Sequence, residues 1–513
     1  MGNTYMYLRT TTKNNKTTLM KKLLFFILFP ILTYGQVQIG QDIDGEAEGD
    51  RSGGNIQLSS DGSVVAIAAA QNDGNGENSG HVRVYENQNG NWIQIGQDID
   101  GEAEGDVSGY SISLSSSGER IAIGAIGNSD NGSNSGHVRI FENQNNNWIQ
   151  IGQDIDGEDA GDFSGFGISL SSNGSIVAIG ARDHDENVEN GEDVGQVRIF
   201  EYQNNNWIQI GQDINGEGIN NGFGENFGDS VALSDNGQTL VASGPFNNDG
   251  GPDSGQVRVY ENQNNNWIQV GQAINGEMEG DRLGDRNGLS ISSDGSVFAV
   301  ASNFNSGNQD QSGHARIFKN QEGTWTQIGE DIDGESVNEG FGWSVSLSSD
   351  GNIIAIGAIS GGIDGQVRLF KNINDNWIQI GEDINGEVGF GDFFGWSVSL
   401  SSDGSILAVG DTRNNGNGND SGHVRVFDLS ALLSIEEFTQ PTFSLFPNPA
   451  STQITIDIPQ GTVLEKATIY NHLGQLVMTS KNETLDTSTL SKGMYIVEVL
   501  TNQGTSSKKL IIE

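Results

Sequence analysis

The chain has 513 residues, no cysteine and a formal charge of −43. This excludes disulfide staples and thiolate metal sites, and so acidic a surface repels nucleic acid and anionic membrane. Glycine at 73 residues against 7 prolines points to many tight turns in a folded chain.

At the N-terminus, Met20-Lys21-Lys22 precedes a short apolar run that contains Pro30 and ends among small residues at Thr33 and Gly35. This is the pattern of an export signal, not of a membrane span. Residues 1–35 are therefore expected to be an extension plus signal peptide. The true start is expected at Met20 and the mature chain near Gln36, with no transmembrane segment in it.

A cassette, I-G-Q-D-I-D-G-E, then runs from Ile39 to Glu46. It recurs from Ile95 and Ile151 and returns in weaker form from Ile210, Val270, Ile328 and Ile380. Seven regularly spaced copies identify a repeat architecture. Within one unit, residues 111–115 alternate, 121–125 are apolar at most positions, and 137–142 and 148–155 follow across turn residues. Each stretch reads as a strand. Four antiparallel strands, seven times over, predict an all-β fold with a seven-bladed β-propeller over residues 36–429.

Two anchors support this period. Arg83, Arg139, Arg198, Arg258, Arg316, Arg368 and Arg425 share one place in the third strand, and Trp92, Trp148, Trp207, Trp267, Trp325 and Trp377 open the fourth. The first cassette has no blade before it, and the last unit stops at its third strand. The N-terminal strand is therefore expected to complete the seventh blade and remove the open sheet edge. The arginines are expected to pair with acidic repeat positions, and the tryptophans to pack blade on blade.

F-G-W-S-V-S-L at 341–347 and again at 394–400, with A-I-G-A at 355–358, resembles FG-GAP-type repeat propellers. That class carries Ca²⁺ in a D-x-D-x-D-G loop between the first two strands. Here the loop is the hairpin turn S-S-D-G or S-S-N-G, as at Ser59 to Gly62, so the Ca²⁺ site does not carry over.

After Asp428 the pattern stops. Residues 430–442 read as a linker, and short alternating strands over 443–513 predict a small Ig-like β-sandwich. F-P-N-P-A at 446–450, Y-N-x-x-G-Q-L-V from Tyr470, L-S-K-G-M-Y-I-V from Leu490 and the closing K-K-L-I-I closely resemble the type A C-terminal sorting domain of type IX secretion substrates in Bacteroidetes. The resemblance implies periplasmic passage, outer-membrane translocation, and contact with the secretion machinery through 443–513.

Candidate sites lie on the face with the longer, more variable loops. Asp42, Asp44, Glu46 and Asp50, with Asp98, Asp100, Glu102 and Asp106, offer hard oxygen donors for Ca²⁺. The alternative is a solvated acidic loop whose Asp44 builds the turn before glycine. One position ahead of the first strand varies between repeats: Gly54, Tyr110, Phe166, Asp229, Asn287, Trp343 and Trp396. It is expected near the channel mouth, where Tyr110, Phe166, Trp343 and Trp396 could stack on a ligand or pack between blades. His81, His137, His314 and His423 recur at third-strand starts and are expected to be structural, not a metal cluster.

These features lead to the expectation of a secreted or surface-displayed binding or adhesion module, a monomer and not an enzyme. A glycan or protein ligand is expected on the loop-rich face. The alternatives are a structural matrix protein and, last, a propeller-based glycan hydrolase or lyase. That last reading needs carboxylates or a histidine unique to one blade that converge on the axis.

Overall fold

The computed structural model describes residues 35–513 except 186–192, 218–223, 363, 388–390, 435–442, 459–462, 472–474 and 502–503. The expected signal peptide and most of the expected linker lie outside the described residues.

Seven antiparallel sheets form the propeller. In the first blade, Asn55–Leu58, Val64–Ala69 and His81–Asn87 pair in order. The expected fourth strand divides into Trp92–Gln94 and Ile99–Asp100, which pair with the two ends of His81–Asn87. The break has a packing cause. Gly96, between the pieces, has φ +79, and a Cβ there would lie 2.7 Å from the Trp148 ring of the next blade.

The cassette is thus a socket for its neighbour. Trp148 Nε1 donates to the Ile95 carbonyl at 2.9 Å, and the Gln97 amide donates to the Trp148 carbonyl at 2.9 Å. At Gly381, which has no following tryptophan, the Gln36 side chain and Leu432 take the seat. Leu432 belongs to a short helix, Ser430–Leu433, and is buried with Leu429 against the seventh blade. Packed structure therefore continues past the third strand of that blade.

The ring closes as expected. Val37–Gln38 and Ile43–Asp44 pair with His423–Asp428, completing the seventh sheet. Second strands such as Val64–Ala69 are buried at every position, and each large aliphatic so buried contributes about 1.5–3 kcal/mol. At one end of the inner strands a backbone circle links all blades. Ser60 donates to Ser116, then Ser116 to Ser172, Ser172 to Asp235, Asp235 to Ser293, Ser293 to Ser349, Ser349 to Ser402, and Ser402 back to Ser60.

The arginine expectation also holds. Arg83, Arg139, Arg198 and Arg316 lie 3.3–3.5 Å from Glu46, Glu102, Glu158 and Glu277 of the preceding cassette. Arg258 and Arg368 each take a second carboxylate, Glu225 and Glu339. Arg425 differs, with Nε donating to Gln38 Oε1 at 3.1 Å.

The C-terminal part has two sheets. Ser444–Phe446, Gln453–Asp457 and Thr484–Asp486 form one, and Leu464–Asn471, Leu476–Ser480, Gly493–Thr501 and Gly504–Ile512 the other. Their inner faces bury Ile454, Ile456, Ile469, Leu485, Val497 and Leu510.

Candidate functional site

At the end of the channel away from the backbone circle, each inner strand begins with a kink. In four blades the ladder register shifts there, as between Phe394 and Ser397. The kink needs glycine: Gly228 has φ +92, and a Cβ would meet the Gln196 carbonyl at 2.6 Å. The next residue is turned toward the axis. Gly54, Tyr110, Phe166, Asp229, Trp343 and Trp396 occupy this place and line one cavity of about 300 Å³.

The fifth blade departs from the sequence register. Gly284 N–H donates to the Ala301 carbonyl and Asp285 N–H to the Arg282 carbonyl, matching the bonds of Gly228 to Ser243 and Asp229 to Asn226. Asp285 therefore holds the equivalent backbone place, while Arg286 and Asn287, carried further by a two-residue insertion, line the cavity. The inserted segment crosses the channel, where the Asn55 amide donates to Asn287 Oδ1 at 3.4 Å. Counting back from S-S-D-G could not reveal this. The signal in the sequence was the second glycine of L-G-D-R-N-G.

The aromatic residues pair across blade boundaries. The Tyr110 and Phe166 rings lie 4.7 Å apart, Trp343 and Trp396 4.8 Å apart, and Phe393 stacks on Trp396 at 5.8 Å. They pack against one another and present their remaining faces to the cavity. Trp343 Nε1 is buried without a hydrogen-bond partner. Burial pushes the Tyr110 hydroxyl up to about 12.

Asp229 is enclosed. Its Oδ1 accepts the Arg286 backbone N–H at 2.7 Å, and its Oδ2 lies 3.0 Å from Arg182. Burial pushes its carboxyl up to about 7, the Asp285 charge adds to the rise, and Arg182 opposes it. Burial raises the Asp285 carboxyl as well, against the pull of Arg286 and Arg282.

Asp411 supports another wall. It ends the second strand of its blade, where other blades carry Ala69, Ala125 or Ala358. Its Oδ1 accepts the backbone N–H groups of Phe393 and Arg413 at 2.9 and 3.2 Å. Burial pushes this carboxyl up to about 7.

The acidic cassette residues divide by task. Asp50 and Asp106 each accept two backbone N–H groups of their own loop. Asp42 and Asp98 accept amides from Gln38 and Gln94. The Asp44 and Asp100 carbonyls accept from Arg83 and Arg139. Glu46 and Asp98 meet at His81, and Glu102 meets Asp154 at His137.

A third such cluster joins Glu277, His314 and Asp331, and all three are able to coordinate a metal ion. His137 is fully buried, and neither ring nitrogen has a hydrogen-bond partner. Against the expectation that these histidines are structural and form no metal cluster, His81, His137 and His314 each stand in a group that could hold a metal ion, while among the described residues His423 does not. This also overturns the expectation of a binding, adhesion or matrix protein that is not an enzyme. Three Glu–His–Asp groups with the donor set of a metal site stand against that expectation.

Comparison with known proteins adds two family matches. Residues 444–513 match the secretion system C-terminal sorting domain, and residues 384–427 match the FG-GAP repeat. A stretch of 85 residues is 32% identical to beta-agarase A of Zobellia galactanivorans, covering 16% of this chain and 15% of that protein. Among solved structures, a candidate 6-phosphogluconolactonase of Bacteroides uniformis aligns at 11% identity and TM-score 0.46, over 69% of this chain and 94% of the other. The periplasmic gluconolactonase of Pseudomonas aeruginosa aligns at 12% identity and TM-score 0.42, over 92% and 99%.

No described helix is long and apolar enough to cross a membrane. With an FG-GAP-like repeat propeller followed by a C-terminal sorting domain, the chain is a substrate of the type IX secretion system of the Bacteroidetes kind, exported through periplasm and outer membrane to the cell surface.

Proposed function

We propose that the axial cavity is the active site of an exported hydrolase, with Asp229 as the acid–base group on its wall and the charge of Asp285 keeping that carboxyl raised. One observation carries this reading: carboxyls stand at equivalent places in two neighbouring blades, where the other five blades carry glycine or an aromatic residue. Coupled carboxyls do not both ionise readily at neutral pH, so one keeps a proton while the other accepts one. A carboxyl so poised at Asp229 protonates a leaving oxygen in one state and activates water in the other. The faces of Tyr110, Phe166, Trp343 and Trp396 suit stacking on a sugar ring, which makes the substrate a saccharide or a sugar derivative.

The test is a turnover screen of the full secreted chain on oligosaccharides and sugar lactones, read as reducing ends or acid released. Asp229→Asn and Asp285→Asn are each expected to lower kcat by at least about 10²-fold with the fold retained. Unchanged turnover in both variants ends the reading.

For the Glu–His–Asp clusters, an imidazole nitrogen with two carboxylates suits a zinc-class cation. The Ca²⁺ expected from the loop carboxylates takes oxygen donors only. Residues 36–429 are proposed as the catalytic propeller, 430–442 as the connection and 443–513 as the segment that engages the secretion machinery.

A further inference from the structure

The charge of the cavity runs against that of the chain. The whole sequence has 25 Lys and Arg against 68 Asp and Glu. The cavity wall has three arginines, Arg51, Arg286 and Arg413, against one acid, Asp229. Asp229 already faces Arg182 at 3.0 Å.

These arginines differ from those that hold the blades together. Arg83, Arg139, Arg198, Arg258, Arg316 and Arg368 all lie against carboxylates. Among the described residues, no carboxylate lies within 4.0 Å of the Arg51, Arg286 or Arg413 guanidinium. Arg413 instead lies over the Phe393 ring at 4.1 Å, and Arg286 is 5.4 Å from the Trp343 ring. An aromatic face orients a guanidinium without using its in-plane N–H donors. Arg286 is also placed at a cost. Its φ is +53, a left-handed conformation that a residue with a Cβ adopts rarely, and the Asp229 carboxylate holds its backbone N–H there. Trp343 Nε1 adds a buried donor with no acceptor in the protein.

We infer that the cavity takes an anionic sugar, bearing carboxylate or sulfate groups, with Arg51, Arg286 and Arg413 as its anion-binding residues. This rests on the reading of the cavity as a saccharide active site and names the substrate class. Guanidinium forks match carboxylate and sulfate oxygens, while the neighbouring aromatic faces take the rings. The acidic surface outside repels anions at long range, so selection occurs by contact inside the cavity.

The experiment measures binding of matched tetrasaccharides to the full secreted chain, by calorimetry and by tryptophan fluorescence. Three uronate tetrasaccharides, their carboxyl-reduced neutral forms and the sulfated neutral forms are compared. At least one acidic form is expected to bind about tenfold or more tighter than its neutral counterpart, with the preference falling as salt rises. The carboxylate and sulfate arms separate the two anion sources. Arg51→Gln/Arg413→Gln is expected to cut the preference at least about threefold, Arg286 keeping the remainder, with the thermal transition in place. Equal binding of acidic and neutral forms, or a preference undiminished in the double variant, overturns the inference. Acidic preference without turnover keeps the ligand class and removes the catalytic reading. Turnover of neutral sugars with no acidic preference does the reverse.

Discussion

The Asp229 carboxylate and the Arg182 guanidinium meet at 3.0 Å on the cavity wall, yet the acid sits near 7 because burial and the Asp285 charge outweigh that contact. A group at this value changes state at working pH, which suits acid–base catalysis. The pH profile of kcat/KM is expected to inflect near 7, and Asp229→Asn should remove the inflection along with most of the rate. A profile of unchanged shape in Asp229→Asn rules the residue out of the titration.

Arg368 separates buried from exposed pairing. One partner, Glu339, is 1% exposed, and the other, Glu335, is 70% exposed. Removing the charge of Glu339 leaves a buried guanidinium without its inner partner, a loss of roughly 3–5 kcal/mol. Glu335→Gln should cost under about 1 kcal/mol. Urea unfolding of both variants checks the difference. Equal losses would mean that the two carboxylates are equivalent in energy.

Closure by the N-terminal strand predicts a result for truncation. A chain lacking residues 36–46 exposes the backbone of His423–Asp428, which now pairs with Val37–Gln38 and Ile43–Asp44. The thermal transition should fall by roughly 10 °C, and size-exclusion chromatography should show association through the open edge. A monomer of unchanged transition temperature would show that the seventh blade does not need the strand.

Asp411 predicts how stability varies with pH. Its folded value is about 7 against 3.8 as an isolated group, so between the two the folded chain holds a proton that the unfolded chain has lost. Its stabilisation is complete below about pH 4 and disappears as pH rises through 7. Asp392 and His423 face it. His423, pushed down to about 4 by burial, has the opposite slope between about 4 and 6.5, so the clear window lies above that range. From pH 6.5 to 8 the wild-type protein should lose roughly 1 kcal/mol relative to Asp411→Asn, with the loss levelling off above about pH 7.5. Parallel stability curves across that window would contradict the assignment.

Metal binding gives a separate test. After EDTA treatment, Zn²⁺ should raise the transition temperature by a few degrees through binding the folded state, while Ca²⁺ should not. His137→Ala should reduce the Zn²⁺ response by removing one of the three clusters. If Ca²⁺ and Zn²⁺ act alike, imidazole is not a ligand.

Much of the ring was legible because its signals are local and repeated. Ile95, Gly96 and Gln97 perform one joint task toward Trp148, so the whole cassette recurs together. The axial place was legible in six blades through a fixed distance from the hairpin turn. In the fifth blade Asn287 also lines the cavity, but two inserted residues give the equivalent backbone bonds to Gly284 and Asp285. The third-strand histidines were visible as a recurring position but their carboxylate partners were not, and Asp411 gave no signal, since each acquires its partners from distant residues.

Sequence alone determined the seven blades, the closing strand and the export route, because period-two strands, turn residues and a sorting motif each act over a few neighbouring positions. Tertiary structure alone decided that the Asp285 charge acts on Asp229 and that three arginines on the cavity wall have no carboxylate within 4.0 Å among the described residues. Those relationships depend on which blades become neighbours around the axis, and no local pattern of residues encodes a distance across the channel.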